Sequence, residues 1–191
     1  MMNNQAICLV MAAWCVAGCS STGPKGFGKS SAANVFVSDQ KAGQSIRKVA
    51  LMPFKAPTEL IGSSVSDLFV TDMLRTGRYE LVERSQMGTV LGESELALSG
   101  LTLSEMTEVA RMAGAEGVIV GSVIEYQTQA VRGHAYPVVG ISARLIDTQS
   151  GRIVWSADMT SRAKSKKVAL SQHARSVVRE LTTGIYHATR N

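Results

Sequence analysis

Cysteine is scarce in this 191-residue sequence and confined to one end: Cys8, Cys15 and Cys19 are present, and none follows. The body of the chain therefore has no internal disulfide and no thiol for a metal site or a nucleophile. Histidine is equally scarce. His134, His173 and His187 fall in no H-E-x-x-H or other ligand spacing, so zinc chemistry has no footing. There is no G-x-S-x-G nucleophile elbow either. The apolar run at residues 6–16 (AICLVMAAWCV) has eleven residues, well short of the roughly 20 needed to cross a bilayer. Residues 1–18 carry no charged side chain at all.

What is present is enough for one domain with a real core: 45% of residues are hydrophobic and 18% are charged. The formal net charge of +5 is unevenly spread. Residues 19–48 hold five Lys/Arg against one acid, and residues 162–191 hold seven against one, whereas residues 49–161 hold eight against thirteen. An acidic middle thus lies between two basic ends, which read first as solvated faces and give no sign of nucleic-acid binding.

The eleven-residue apolar run has the length of a signal-peptide core. It leads into Val16, Ala17, Gly18 and Cys19, which resembles the lipobox cut by lipoprotein signal peptidase. The segment before the run, MMNNQ, lacks the usual Lys or Arg. The resemblance implies that residues 1–18 are removed and that Cys19 is lipidated, anchoring the chain to a membrane. Ser20, in place of the Asp that retains enterobacterial lipoproteins at the inner membrane, implies sorting to the outer membrane, facing the periplasm.

A second motif overlaps this one. Gly23, Gly28, Lys29 and Ser30 complete the phosphate-loop pattern G-x-x-x-x-G-K-[ST]. That loop works only between a strand and a helix N-terminus, which together wrap the phosphates in N–H groups. Only four residues separate the cleavage point before Cys19 from this match, so no strand precedes it, and no 3.6-residue apolar period follows. The stretch reads as a Gly/Ser/Lys tether over residues 19–47, with no nucleotide or other cofactor expected. Within it, Val35, Phe36 and Val37 form an apolar island suited to an edge strand or a partner-binding segment, and nothing else there looks ordered.

From residue 48 to 191 the pattern is that of a folded domain. Residues 48–54 (KVALMPF) predict a buried strand stopped by Pro53. Thr58 caps a helix with Ile61, Val65, Leu68, Phe69 and Met73 on one face, ending at Arg75 and Gly77. Residues 79–84 alternate as a strand, a short helix starts at Ser85, residues 93–101 are irregular, and a further helix ends at Gly114. Residues 117–124 predict a central strand covered on both faces. Two alternating strands follow, one facing inward at Val139, Ile141, Ala143 and Leu145, the other at Ile153, Trp155, Ala157 and Met159. Residues 147–151 have hairpin-turn composition. A last helix over 167–187 buries Leu170, Ala174, Val177, Val178, Leu181 and Ile185 and turns Arg175 and Arg179 outward. The order β-α-β-α-α-β-β-β-α predicts an α/β fold, a mixed sheet with helices packed on it.

This order resembles the CsgG family of curli-secretion lipoproteins. The likeness is carried by residues 48–54 (KVALMPF), 79–93 (YELVERSQMGTVLGE), 110–126 (ARMAGAEGVIVGSVIEY) and 143–156 (ARLIDTQSGRIVWS). It implies an anticodon-binding-domain-like three-layer sandwich, shared with LpoB-type activators of penicillin-binding proteins, FlgO flagellar lipoproteins and the TolB amino-terminal domain. In the curli protein two long hairpins form the pore, and a spanning strand takes about 9–11 residues. Here only residues 127–138 and 162–166 occupy those places, read as short loops, so the resemblance implies fold and anchoring without pore formation.

The resemblance also makes Glu83 and Arg84 a family feature, read as an ion pair or helix cap rather than a catalytic pair. Trp155 reads as core, and the histidines as loop (His134) and polar helix face (His173, His187). The expected role is non-enzymatic: a lipid-anchored accessory protein that binds a protein partner in secretion, curli-like, flagellar or peptidoglycan-synthase assembly. The alternative is a shortened secretion-channel subunit acting as a homo-oligomeric ring. The basic C-terminal end and residues 127–138 are the surfaces expected to meet a partner.

Overall fold

The computed structural model describes residues 33–91 and 100–190. The lipobox, Ser20, the phosphate-loop match and most of the irregular stretch after Gly92 lie outside them. Six strands, β1 (Asn34–Val37), β2 (Lys48–Leu51), β3 (Glu80–Val82), β4 (Gly117–Val131), β5 (His134–Asp147) and β6 (Ile153–Arg162), form one sheet in the order β1-β6-β5-β4-β2-β3. The helices are α1 (Gln40–Ser45), α2 (Glu59–Thr76), α3 (Arg84–Leu91), α4 (Leu103–Met112) and α5 (Leu170–Arg190). From β2 onward the order matches the sequence expectation element for element.

Period-two alternation places successive residues of the central strands in opposite layers. Val49 and Leu51 of β2, with Ile119 and Val123 of β4, join the core under α2 and α5. Ala50, Met52, Val118 and Val120 join a second core under α3 and α4. β2 and β4 run parallel, as do β2 and β3, and β4, β5 and β6 form an antiparallel meander. The result is a mixed sheet between helical layers, with α3 and α4 in the second layer.

Local chemistry sets the boundaries. The Thr58 hydroxyl accepts from Ile61 N at 3.3 Å to start α2, and Gly77 ends it in the left-handed region (φ 62°). Thr102 and Glu105 form a reciprocal capping box at α4. Asp147 Oδ1 accepts from Gln149 N (2.7 Å) and Ser150 N (3.1 Å), closing the β5–β6 turn. Val177, Val178, Leu181 and Ile185 of α5 are each at most 1% exposed. Each such side chain contributes about 1.5–3 kcal/mol on burial.

Four expectations are corrected. First, the span read as tether is ordered from residue 33: β1 pairs with β6, and α1 follows, capped by Asp39 accepting from Ala42 N at 2.9 Å. The apolar island is thus an edge strand, and α1 had no apolar period to announce it. Second, residues 127–138 are not a loop. β4 and β5 continue as a hairpin, pairing Gln127 with Val138 and Val131 with His134. Third, Ile153 is 44% exposed, because a register shift at Leu145/Ile146 places Val154 in the core instead. Fourth, α5 starts at Leu170 rather than residue 167, and His173 lies buried in it.

Candidate interaction surfaces

The sequence expectations point to surfaces rather than a catalytic cleft, and the structure gives the first of them a definite form. Four residue pairs, from Thr128–Pro137 to Val131–His134, extend beyond the last β5–β6 pair, Val138–Arg162. At about 3.4 Å per residue this arm projects roughly 15 Å. Its turn is formed by Arg132 (φ 49°) and Gly133 (φ 76°). Positive φ at both central residues is the requirement of the tight hairpin turn whose twist matches the strands.

The arm is held by side chains at its base. Arg162 Nη1 donates to Gln129 Oε1 at 3.3 Å, and its guanidinium lies 6.0 Å from the centre of the Tyr136 ring. Lys166 Nζ lies 3.5 Å from His134 Nε2. Arg132, His134, Tyr136, Arg162 and Lys164 border an open hollow of about 620 Å³. The basic loop after β6 and the arm, far apart in sequence, therefore form one surface.

A second hollow, about 320 Å³, opens beside α4 on the part of the sheet that no described helix covers. Lys55, Ser122, Ser142, Arg144 and Ser156 line it. The cross-strand pairs Ser122–Ser142 and Arg144–Ser156 put these groups on one face. Phe36, paired with Ser156 at the sheet edge, is 69% exposed.

The other singled-out residues separate. Trp155 is fully buried, and its Nε1 donates to the Tyr79 hydroxyl at 3.2 Å, so it is core as expected. His173 Nε2 lies 2.8 Å from Ser161 O, fixing α5 to the end of β6, and His187 is exposed. This corrects the expectation that His173 faces solvent: Ser171 and Gln172 before it and Arg175 after it are the exposed residues of this turn. Arg175 and Arg179 are exposed, with Arg179 Nε 3.9 Å from the buried Asp72 carboxylate. Glu83 is exposed and its carbonyl accepts from Gln86 N at 3.0 Å, while Arg84 opens α3. Among the described residues no group of three or more His, Cys, Asp or Glu could hold a metal ion, and no helix is long and apolar enough to cross a membrane.

Two carboxylates have shifted acidities. Glu116 accepts from the backbone N–H of Arg47 (2.6 Å) and Lys48 (3.2 Å), which holds its carboxyl below the usual range. Glu105 is lowered by its hydrogen bonds to Thr102. Neither lies in a cleft with a nucleophile, and both bonds fix local structure.

A mixed sheet between helical layers, with a hairpin arm beside a basic loop, defines a three-layer α/β domain. The model of the curli production assembly/transport component CsgG matches residues 29–180, and the chain belongs to that family. No functionally curated protein matches the sequence. Among solved structures the fold is similar to the PelC dodecamer from Paraburkholderia phytofirmans, at 22% identity and a TM-score of 0.58, covering 80% of this chain and 96% of that one. It is also similar to lipoprotein GNA1162 from Neisseria meningitidis, at 18% identity and a TM-score of 0.51, covering 69% and 95%. The LpoB C-terminal domain from Escherichia coli aligns at 18% identity with a TM-score of 0.46, covering 62% and 84%.

Proposed function

We propose that this chain is a non-enzymatic accessory protein of the cell envelope, anchored through a lipid on Cys19 at the outer membrane and facing the periplasm. There it binds a protein partner in the assembly of an envelope or surface structure. The observation that carries the reading is the match of the curli assembly/transport family across residues 29–180, behind a lipobox ending at Cys19. Ser20 supports the outer-membrane destination. Glu83 and Arg84 belong to this reading as elements of the β3–α3 junction, and no nucleotide, nucleic acid or cofactor enters it. Crosslinking in the native host followed by mass spectrometry tests it. The expected result is reproducible crosslinks to an envelope protein, made through the exposed α5 face that carries Arg175 and Arg179. Crosslinks only to cytoplasmic proteins would overturn it.

A second reading is a homo-oligomeric ring acting as a secretion subunit. The likeness in fold to a protein solved as a dodecamer favours it. Ring-shaped particles together with conductance across a bilayer are its expected outcome, and a stable monomer without conductance rejects it.

A further inference from the structure

We propose that the β4–β5 arm and the loop after β6 form an electrostatic foot that rests on the surface of an anionic lipid bilayer. The proposal deepens the anchoring reading, from which it takes only the orientation of the domain. Arg132, Arg162, Lys164, Lys166 and Lys167 gather at this end of the sheet, with His134 among them. No Asp or Glu occurs in residues 126–146 or 159–179, the two stretches that build it. Of the flanking acids, Glu125 and Asp158 lie further from the tip by register, and Asp158 Oδ1 already accepts from Asn34 at 3.0 Å. Clustered cations without compensating carboxylates are the footprint of a polyanionic surface.

The arm is built to touch such a surface rather than cross it. Its four free pairs fall short of the 9–11 residues per strand that spanning requires. Gln127, Thr128, Gln129 and Ala130 are exposed, so it offers no apolar band to the bilayer interior. Its turn places Arg132 at φ 49°, a conformation that Asn, Asp or Gly adopts more cheaply. The sequence accepts that backbone strain and in return carries a cation at the tip.

The path of the chain agrees. β1 runs antiparallel to β6, so Asn34 lies nearer than Val37 to the Arg162 end, and the described chain starts on the side of the arm. Cys19 stands fifteen positions before Asn34, a span of at most about 50 Å. That length lets a lipid on Cys19 and the arm meet the same bilayer surface.

Amide hydrogen exchange of the full chain, mixed with vesicles of phosphatidylcholine alone or with phosphatidylglycerol added, tests the proposal. Amides of residues 131–134 and 163–167 should exchange several-fold more slowly with the anionic vesicles only, and 0.5 M NaCl should restore their rates. Each cation near an anionic surface contributes about fivefold to association. The variant R132N/K164Q/K166Q should therefore weaken it by roughly 100-fold, while leaving exchange in the core unchanged. Arg132→Asn suits the turn, so the loss cannot be ascribed to a broken hairpin. Equal exchange with both vesicle types, or protection retained by the triple variant, would overturn the lipid assignment and leave the arm to an acidic protein partner. A failed anchor would show separately, as a full chain that does not sediment with neutral vesicles.

Discussion

Trp155 Nε1 donates a hydrogen bond to the Tyr79 hydroxyl at 3.2 Å, joining β6 to the entrance of β3 across the core. The two side chains are 0% and 5% exposed, so water cannot substitute for either partner. Tyr79→Phe leaves the indole N–H unpaired inside the protein, and such a group costs about 1–3 kcal/mol. Trp155→Ala opens a cavity as well and should cost about 3–5 kcal/mol. Urea unfolding of the two variants should rank them in that order; equal stability of Tyr79→Phe and the parent would show that the bond contributes nothing.

The docking of β1 depends on a missing side chain. A Cβ built on Gly184 of α5 would lie 2.9 Å from Ala33 Cβ and 3.3 Å from Val35 Cγ2. Gly184→Val should therefore push β1 off the sheet edge at a local cost of about 1–3 kcal/mol. Amide exchange at Val35 and Val37 should accelerate strongly while the amides of β5 keep their protection. Unchanged exchange at β1 would mean that helix and strand accommodate the added bulk.

Acid should weaken the junction before β2. The Glu116 carboxyl titrates below its ordinary range in the folded chain because the backbone N–H groups of Arg47 and Lys48 bind its ionised form. Its contribution is fully present above the unfolded carboxylate value, near 4.3, and is lost as pH falls through the lower folded value. Glu116→Gln should thus be less stable than the parent at pH 6, with the difference shrinking below about pH 4. A difference independent of pH would contradict this account.

Much of the fold was legible because its signals are local. Thr58 and Gly77 bracket α2, Pro53 ends β2, and the spacing of Val177, Leu181 and Ile185 marks the buried side of α5. What escaped is held by distant partners. β1, one of the two readings the apolar island at Val35–Val37 offered, has only four residues and owes its place to pairing with β6 and to Gly184, while the unannounced α1 is held by Gln40 Nε2 reaching Ala188 O at 3.0 Å. The α1 segment is further tied by Arg78, which donates to Gly43 O. The arm was hidden by its polarity, since residues 127–130 lack the alternation of a half-buried strand; Gly133 was the available turn signal, masked by an Arg where Asn or Asp is usual. The inversion at Ile153 follows from a register shift that no pattern of apolar residues announces. The polar imidazole of His173 points by its chemistry to the solvent face, yet it precedes the buried Ala174 and its Nε2 lies against Ser161 O.

The central claim is that a lipid on Cys19 holds this domain at a membrane. Incorporation of radiolabelled palmitate, followed by membrane fractionation, tests it most directly in a host with lipoprotein-processing enzymes. The parent should be labelled and recovered with the outer membrane, whereas Cys19→Ala should lose both label and membrane retention. Equal labelling of the two chains, or an unlabelled parent, would contradict it.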